Sequence, residues 1–266
     1  MIFDYYPGCT LNTKAKELDI FARKAAEKLG FELREIEDWQ CCGAVYPMGA
    51  DVVASKTPSV RALKASQDNG RALVTLCSAC HHVLKRVNRD AAEDAEFRAT
   101  LTAYDEELEY NGGTEVLHFL EVLRDKIGFD KVKAAVTNPL IGRKIGAYYG
   151  CMLLRPGAVM AFDDPESPTI IEDFIKALGA TPVTYAMRNE CCGGYISLAE
   201  KEMSAKMCHA VAEDAVRRGA EELITACPLC AYNVKKQAGD ILPITYFTKL
   251  LAEALGLDGE EAKANA

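Results

Sequence analysis

The chain has no apolar run approaching the roughly 20 residues that a membrane-spanning helix requires, so its 266 residues predict no membrane span. It has no basic surplus. Lys and Arg number 31 against 39 Asp and Glu, a formal net charge of −8, which excludes the positive surface that non-specific nucleic-acid binding needs. The first residues, Met-Ile-Phe-Asp-Tyr-Tyr-Pro, contain no basic segment leading into an apolar stretch and no small-residue cleavage site. No export signal is expected, and the predicted location is the cytoplasm. Low-complexity segments are absent, and so is a ferredoxin-type CxxCxxCxxxC run, the usual ligand pattern of bacterial cubane clusters.

Cysteine, in contrast, is plentiful. Ten of the eleven cysteines fall into two copies of one pattern. The first is Cys9, then 31 residues, then Cys41-Cys42-Gly43, then 33 residues, then Cys77-Ser-Ala-Cys80. The second is Cys151, then 39 residues, then Cys191-Cys192-Gly193, then 33 residues, then Cys227-Pro-Leu-Cys230. In a reducing compartment disulfide frameworks are rare, and a secreted disulfide scaffold would be shorter and carry an export signal. Metal ligation is therefore the preferred reading, because thiolates at fixed spacing are the usual ligands for soft metals and iron–sulfur clusters.

Matching flanks accompany the cysteines. Apolar, aromatic runs end in Gly8-Cys9 and Gly150-Cys151. Helix-like stretches over 15–29 and 169–178 are each closed by a glycine, Gly30 and Gly179, a normal helix stop. Short strand-like runs over 31–36 and 181–185 lead to the paired cysteines, and a long helix-prone region follows each Cys-Cys-Gly. Runs with β-branched residues over 71–77 and 221–227 read as buried parallel strands. Each CxxC is placed at the carboxyl end of such a strand, with helices expected from Val83 and Tyr232 onward. The segments 116–123 and 244–251 also correspond.

Four of the five cysteines recur at an offset of 150 residues but Cys9 recurs at 142, so the second half has eight extra residues before Cys191. The first half has an extra charged stretch over 90–113, read as an exposed helical excursion. A boundary is placed between 128 and 143, where Asn138-Pro139 and Gly142 break regular structure. The fold expected is α/β: two duplicated cysteine-rich domains, 1–135 and 140–266, each with a small parallel sheet flanked by helices and related by a pseudo-two-fold axis. Residues 256–266 read as a frayed polar tail.

A CxxC at a strand-to-helix turn presents two sulfurs to one metal centre, and free backbone N–H groups there stabilise negative charge. Adjacent cysteines point in different directions and suit separate irons of a multinuclear cluster better than one tetrahedral ion. Gly43 and Gly193-Gly194 allow positive φ or close approach, although a tight turn alone would also explain them. A thioredoxin-like pair does not need three further cysteines at matched distances. Zinc stays open as the alternative, since a CxxC plus two more cysteines makes a tetrahedral all-thiolate site.

The repeated Cys…Cys-Cys-Gly…Cys-x-x-Cys units resemble the cysteine-rich domain pair of the heterodisulfide reductase B subunit and its bacterial relatives, over nearly the whole chain. The resemblance implies one non-cubane [4Fe-4S] cluster per unit. Cys9, Cys41, Cys42, Cys77 and Cys80 would ligate the first, and Cys151, Cys191, Cys192, Cys227 and Cys230 the second. It implies clusters facing each other across the domain interface, with a disulfide cleaved between them: the coenzyme M–coenzyme B heterodisulfide or a bacterial equivalent. It also implies partners, namely a small ferredoxin-like iron–sulfur subunit and a flavin-containing bifurcating subunit, together with hydrogenase or dehydrogenase subunits in some complexes. Related units in organic-acid oxidising and sulfur-metabolism complexes imply an alternative, an electron-transfer subunit with no disulfide substrate. A zinc-stabilised interaction module is the third reading.

Outside the pattern, Cys208 lies in a helix-like stretch and reads as a small buried hydrophobe. His81 and His82 follow Cys80 directly and are read as surface or capping residues, with hydrogen bonding to a cluster sulfur or to substrate as the alternative. Arg155 and Arg188 are candidates for binding an anionic substrate, against ordinary salt bridging. Trp39 and the pairs Tyr5-Tyr6 and Tyr148-Tyr149 read as core or pocket wall.

Overall fold

The computed structural model describes residues 1–44 and 51–257; most of the predicted frayed tail, 258–266, lies outside the described residues. The first half runs β1 (Ile2–Tyr6), α1 (Gly8–Asn12), α2 (Lys16–Leu29), β2 (Glu32–Glu35), α3 (Val52–Asp68), β3 (Leu73–Thr75), α4 (Ser78–Glu93), α5 (Ala95–Tyr104), β4 (Val116–His118), α6 (Phe119–Glu121) and α7 (Phe129–Ala135). The second runs β5 (Lys144–Tyr148), α8 (Gly157–Met160), α9 (Ile170–Ala177), β6 (Thr181–Val183), α10 (Lys201–Arg217), β7 (Glu222–Thr225), α11 (Pro228–Ala238), β8 (Ile244–Tyr246) and α12 (Phe247–Ala254).

Both halves form four-stranded sheets, ordered β2-β1-β3-β4 and β6-β5-β7-β8, with every pairing parallel. The α/β expectation with two flanked parallel sheets is met. Strands β1 and β3 are buried along nearly their whole length, as expected of parallel strands covered on both faces. In each sheet the strand order reverses at β1/β3 or β5/β7. A crevice therefore opens outside their carboxyl ends, the usual place for a site in this architecture.

Helix α2 buries Phe21, Ala22, Ala25, Ala26 and Leu29 and ends at Gly30, which takes the left-handed conformation (φ 82°). Helix α9 is likewise followed by Gly179 at φ 88°. The helices after the CxxC motifs differ from expectation. They start at Ser78 and Pro228 with Cys77 and Cys227 as N-caps, so each second CxxC cysteine already lies in the first turn. The charged excursion is helical as predicted, but Phe97 and Leu101 of α5 are buried and tie it to the core. The boundary segment contains α7, which buries Val132.

The helix following the last strand of each half crosses to the other half. Helix α12 packs along α2, and α6 and α7 pack on α9, giving a reciprocal exchange about the pseudo-two-fold axis. The seam is aromatic: Phe119 lies 6.0 Å from Phe247, and Phe247 lies 6.2 Å from Phe174, centroid to centroid. Each of these rings is fully buried, worth about 1.5–3 kcal/mol apiece in transfer free energy. Among the described residues no helix is long and apolar enough to cross a membrane.

Candidate functional site

All ten patterned cysteines sit just past strand carboxyl ends. Cys9 and Cys151 follow β1 and β5, the Cys-Cys pairs follow β2 and β6, and the CxxC motifs follow β3 and β7. Matching contacts shape both sites. Tyr6 and Tyr148 donate to the carbonyls of Gln40 (2.5 Å) and Glu190 (3.0 Å), fixing the residue before each Cys-Cys pair. The N–H groups of Cys77 and Cys227 each donate to a threonine two residues back, Thr75 and Thr225, at 3.4 Å. The structure therefore pairs Tyr6 with Tyr148, leaving Pro7 as the counterpart of Tyr149.

Two glycines let the backbone pass close to sulfur. Gly8 has φ +74°, and a Cβ there would lie 2.8 Å from Cys80 Sγ. Its counterpart Gly150 has φ +64°, with Cys230 Sγ 3.2 Å from the same imagined atom. Gly43 and Gly193 also adopt positive φ, in line with the close-approach reading.

Within each set the sulfurs touch in series. Cys42 Sγ lies 3.5 Å from Cys80 Sγ, and Cys192 Sγ lies 3.5 Å from Cys230 Sγ. Cys41 bridges Cys9 and Cys42, and Cys191 bridges Cys151 and Cys192. The two series meet where Ser78, next to Cys77, donates its N–H (3.0 Å) and hydroxyl (2.8 Å) to the carbonyl of Ala226, next to Cys227. The ten sulfurs thus gather around one junction, with the CxxC cysteines buried at its centre, Cys9 and Cys41 exposed on one side and Cys151 and Cys191 half-buried on the other.

Such crowding makes ionisation uneven. Contact with Cys41 and Cys80 holds Cys42 at about 4, while contact with Cys42 pushes Cys41 far up. Contact with Cys151 and Cys192 holds Cys191 at about 2, and contact with Cys191 pushes Cys192 to about 12. So many neighbouring thiolates cannot coexist without a compensating positive charge. A polynuclear iron–sulfur centre supplies that charge and spreads its irons over several sulfurs. Among the described residues, no group of three or more His, Cys, Asp or Glu side chains closes around one metal ion.

Two polar residues behind the second set, Asn233 and Ser204, were not anticipated. Asn233 Nδ2 donates to the Cys192 carbonyl (2.7 Å) and to Ser204 Oγ (3.0 Å), and lies 3.4 Å from Cys208 Sγ. Cys208, fully buried as expected, donates its S–H to the same Cys192 carbonyl at 3.2 Å. Burial holds its thiol up at about 11. At the 150-residue offset the first half has Val83, Ala54 and Pro58. That asymmetry was the only sequence signal for the network.

The other candidates are largely engaged in structure. His81 is fully buried rather than at the surface, with Nε2 3.0 Å from Glu121 Oε2, because the early helix start turns it inward. Burial lowers its pKa. His82 Nδ1 meets the Met152 carbonyl at 3.1 Å. Arg155 donates to the Asn189 carbonyl (2.8 Å) and pairs with Glu166 (3.2 Å). Arg188 faces Glu172 at 3.3 Å, and its own carbonyl accepts from Tyr149 N–H at 2.8 Å, bracing the turn before Cys151. Both arginines are engaged in ion pairs, as in the salt-bridging reading. Trp39 packs edge-on to Tyr6 at 5.4 Å.

Among solved structures, a hypothetical protein from Helicobacter pylori superposes with TM-score 0.75 at 11% identity over 99% of this chain, which spans 50% of that one. The likeness is of fold. The 8-methylmenaquinol:fumarate reductase membrane anchor subunit of Wolinella succinogenes is 29% identical over 99% of this chain and 95% of that protein. The B subunit of the ferredoxin/F(420)H(2)-dependent CoB-CoM heterodisulfide reductase of Methanosarcina acetivorans is 26% identical over 96% of this chain and 90% of its own length. The cysteine-rich domain named CCG matches residues 3–85 and 145–235, the spans that supply all ten cysteines. The chain belongs to this cysteine-rich CCG family, carries its domain twice, and has heterodisulfide reductase B subunits among its homologues.

Proposed function

We propose that this chain is the disulfide-reducing iron–sulfur subunit of a multi-subunit oxidoreductase. Cys9, Cys41, Cys42, Cys77 and Cys80 hold one non-cubane [4Fe-4S] cluster, and Cys151, Cys191, Cys192, Cys227 and Cys230 hold a second. The units run over 1–135 and 140–266, in a protein of the cytoplasm. The observation that supports the reading is the pair of hydrogen bonds from Ser78 N–H and Oγ to the Ala226 carbonyl, 3.0 and 2.8 Å, which bring the two CxxC motifs side by side, near enough to serve one substrate bond.

Clusters bound there would supply electrons singly to a disulfide lodged between them. The S–S bond breaks, two electrons and two protons are taken up, and two thiols leave. The chain's own part is positional: Tyr6 and Tyr148 fix the Cys-Cys turns, while Gly8 and Gly150 clear space beside Cys80 and Cys230. The electrons come from partner subunits, one small and ferredoxin-like and one containing flavin. The substrate is the coenzyme M–coenzyme B heterodisulfide or a bacterial equivalent. Anaerobically purified, iron-loaded protein should oxidise a reduced viologen dye when given a mixed disulfide. Dye-reducible iron with no turnover on any disulfide would overturn the reading.

A second reading, an electron-transfer subunit without a disulfide substrate, is favoured by one observation. Tyr195, Ile196, Leu198 and Met203, next to the second Cys-Cys-Gly, are exposed, Leu198 at 90%, and the Wolinella relative is named as a membrane anchor subunit. The viologen assay separates the two.

A further inference from the structure

The pseudo-two-fold axis relates two clefts, and among the described residues only one of them is filled. In the filled cleft, the longer loop after Cys151 lays α8 against α4. Lys85 Nζ donates to the Met160 carbonyl at the end of α8 (2.5 Å), and His82 meets the Met152 carbonyl at 3.1 Å. Lys85 also faces Glu121 Oε1 at 3.9 Å, and its side chain is only 18% exposed.

The counterpart cleft lies between the start of α2 and helix α11. The 150-residue offset makes Lys235 and Tyr232 the equivalents of Lys85 and His82. Strand registers pair Thr75 with His118 and Thr225 with Tyr246, so Lys249, three residues past Tyr246, stands where Glu121 stands in the filled cleft. Here, however, the loop after Cys9 is eight residues shorter, and no counterpart of α8 exists among the described residues. A cavity of about 510 Å³ is left, lined by Lys14, Lys235, Lys249, Tyr232 and Glu17 beside apolar residues. The three lysines make no hydrogen bond or ion pair with any described residue, and Glu17 is the single acidic group among the lining side chains. A carboxylate that would balance the lysine has been replaced by a second lysine. Among the described residues no segment covers the same place.

We infer that the open cleft between α2 and α11 receives an acidic segment of a partner subunit, in the position that α8 occupies in the filled cleft. The filled counterpart argues for a polypeptide, since there the lysine is satisfied by the end of a helical turn. Three unpaired cations against one carboxylate argue for acidic side chains in that segment. The inference rests on the reading of this chain as a subunit of a complex.

The test is lysine acylation read by mass spectrometry, comparing the isolated chain with the complex purified through a tag on it. In the complex, Lys14, Lys235 and Lys249 should be acylated several-fold more slowly, while Lys201, exposed on α10 and outside the cleft lining, should not change. Carbodiimide treatment should cross-link them to Asp or Glu of a co-purifying subunit. The double variant Lys235→Glu with Lys249→Glu should release that subunit on gel filtration while keeping the wild-type melting curve and iron content. If partners co-purify and the three lysines stay as reactive as in the isolated chain, the cleft assignment is wrong and the subunit reading stands. If the chain purifies without partners, both fall. If inorganic phosphate protects the lysines of the isolated chain as fully as the complex does, the cleft is a small-anion site and the peptide assignment fails.

Discussion

Single residues decide how closely backbone and sulfur can approach. Gly8 and Gly150 differ in degree, with Cβ-to-sulfur approaches of 2.8 and 3.2 Å, while Gly70 has a similar φ of +63° and nothing within 4 Å. All three should lose roughly 1–2 kcal/mol on substitution by alanine from the left-handed conformation alone. Gly8→Ala should lose most, Gly150→Ala less, and Gly70→Ala least, as read by guanidinium unfolding of anaerobically purified protein; equal losses at Gly8 and Gly70 would remove the steric argument. Behind the second site, Asn233→Val leaves the buried Cys192 carbonyl only the weak S–H of Cys208 and should cost about 1–3 kcal/mol. Cys208→Ala should keep the full iron content, since its thiol serves a backbone carbonyl; iron loss in that variant would make Cys208 a ligand. The sequence set Cys208 apart by counting. It could not disclose Asn233 or Ser204, because one amide on a helix has no pattern until its neighbours in space are known.

At the scale of elements, strands and helix stops were readable. Alternation of short β-branched runs with periodic stretches ending at Gly30 and Gly179 marks α/β units, and the structure has them. Two features were not readable. Helices α4 and α11 begin at Ser78 and Pro228, several residues before the expected Val83 and Tyr232, because Cys77 and Cys227 cap them without a side-chain hydrogen bond; cysteine is not a recognised helix-start signal. That early start is what buries His81. The exchange of α12 onto α2 was also hidden, because an amphipathic face declares that it is buried but not against which partner. The exchange carries a prediction. Residues 1–135 and 140–266 expressed separately should each fail to show a cooperative melt by circular dichroism, and should regain one when mixed or co-expressed. Independent folding of either half would contradict the shared seam. Phe247→Ala, at the middle of that seam, should cost about 3–5 kcal/mol in chemical unfolding.

For the whole molecule, duplication yields two similar sites, and the reciprocal exchange of helices fixes them face to face. The five-plus-five grouping of cysteines could be read from spacing alone, because each cysteine follows the end of a strand. The joining of the sets through Ser78 and Ala226 could not, because it depends on how the halves dock. The halves also depart from symmetry: among the described residues the polar network lies only behind Cys192, and α8 fills only one cleft. The central claim is that each five-cysteine set holds its own iron–sulfur cluster. Iron and sulfide analysis of anaerobically purified protein tests it most directly, with Cys42→Ala and Cys192→Ala as companions. The account predicts about eight irons per chain, two four-iron clusters, falling to about half in either variant. Stoichiometric zinc without iron, or full iron retained in both variants, would contradict it.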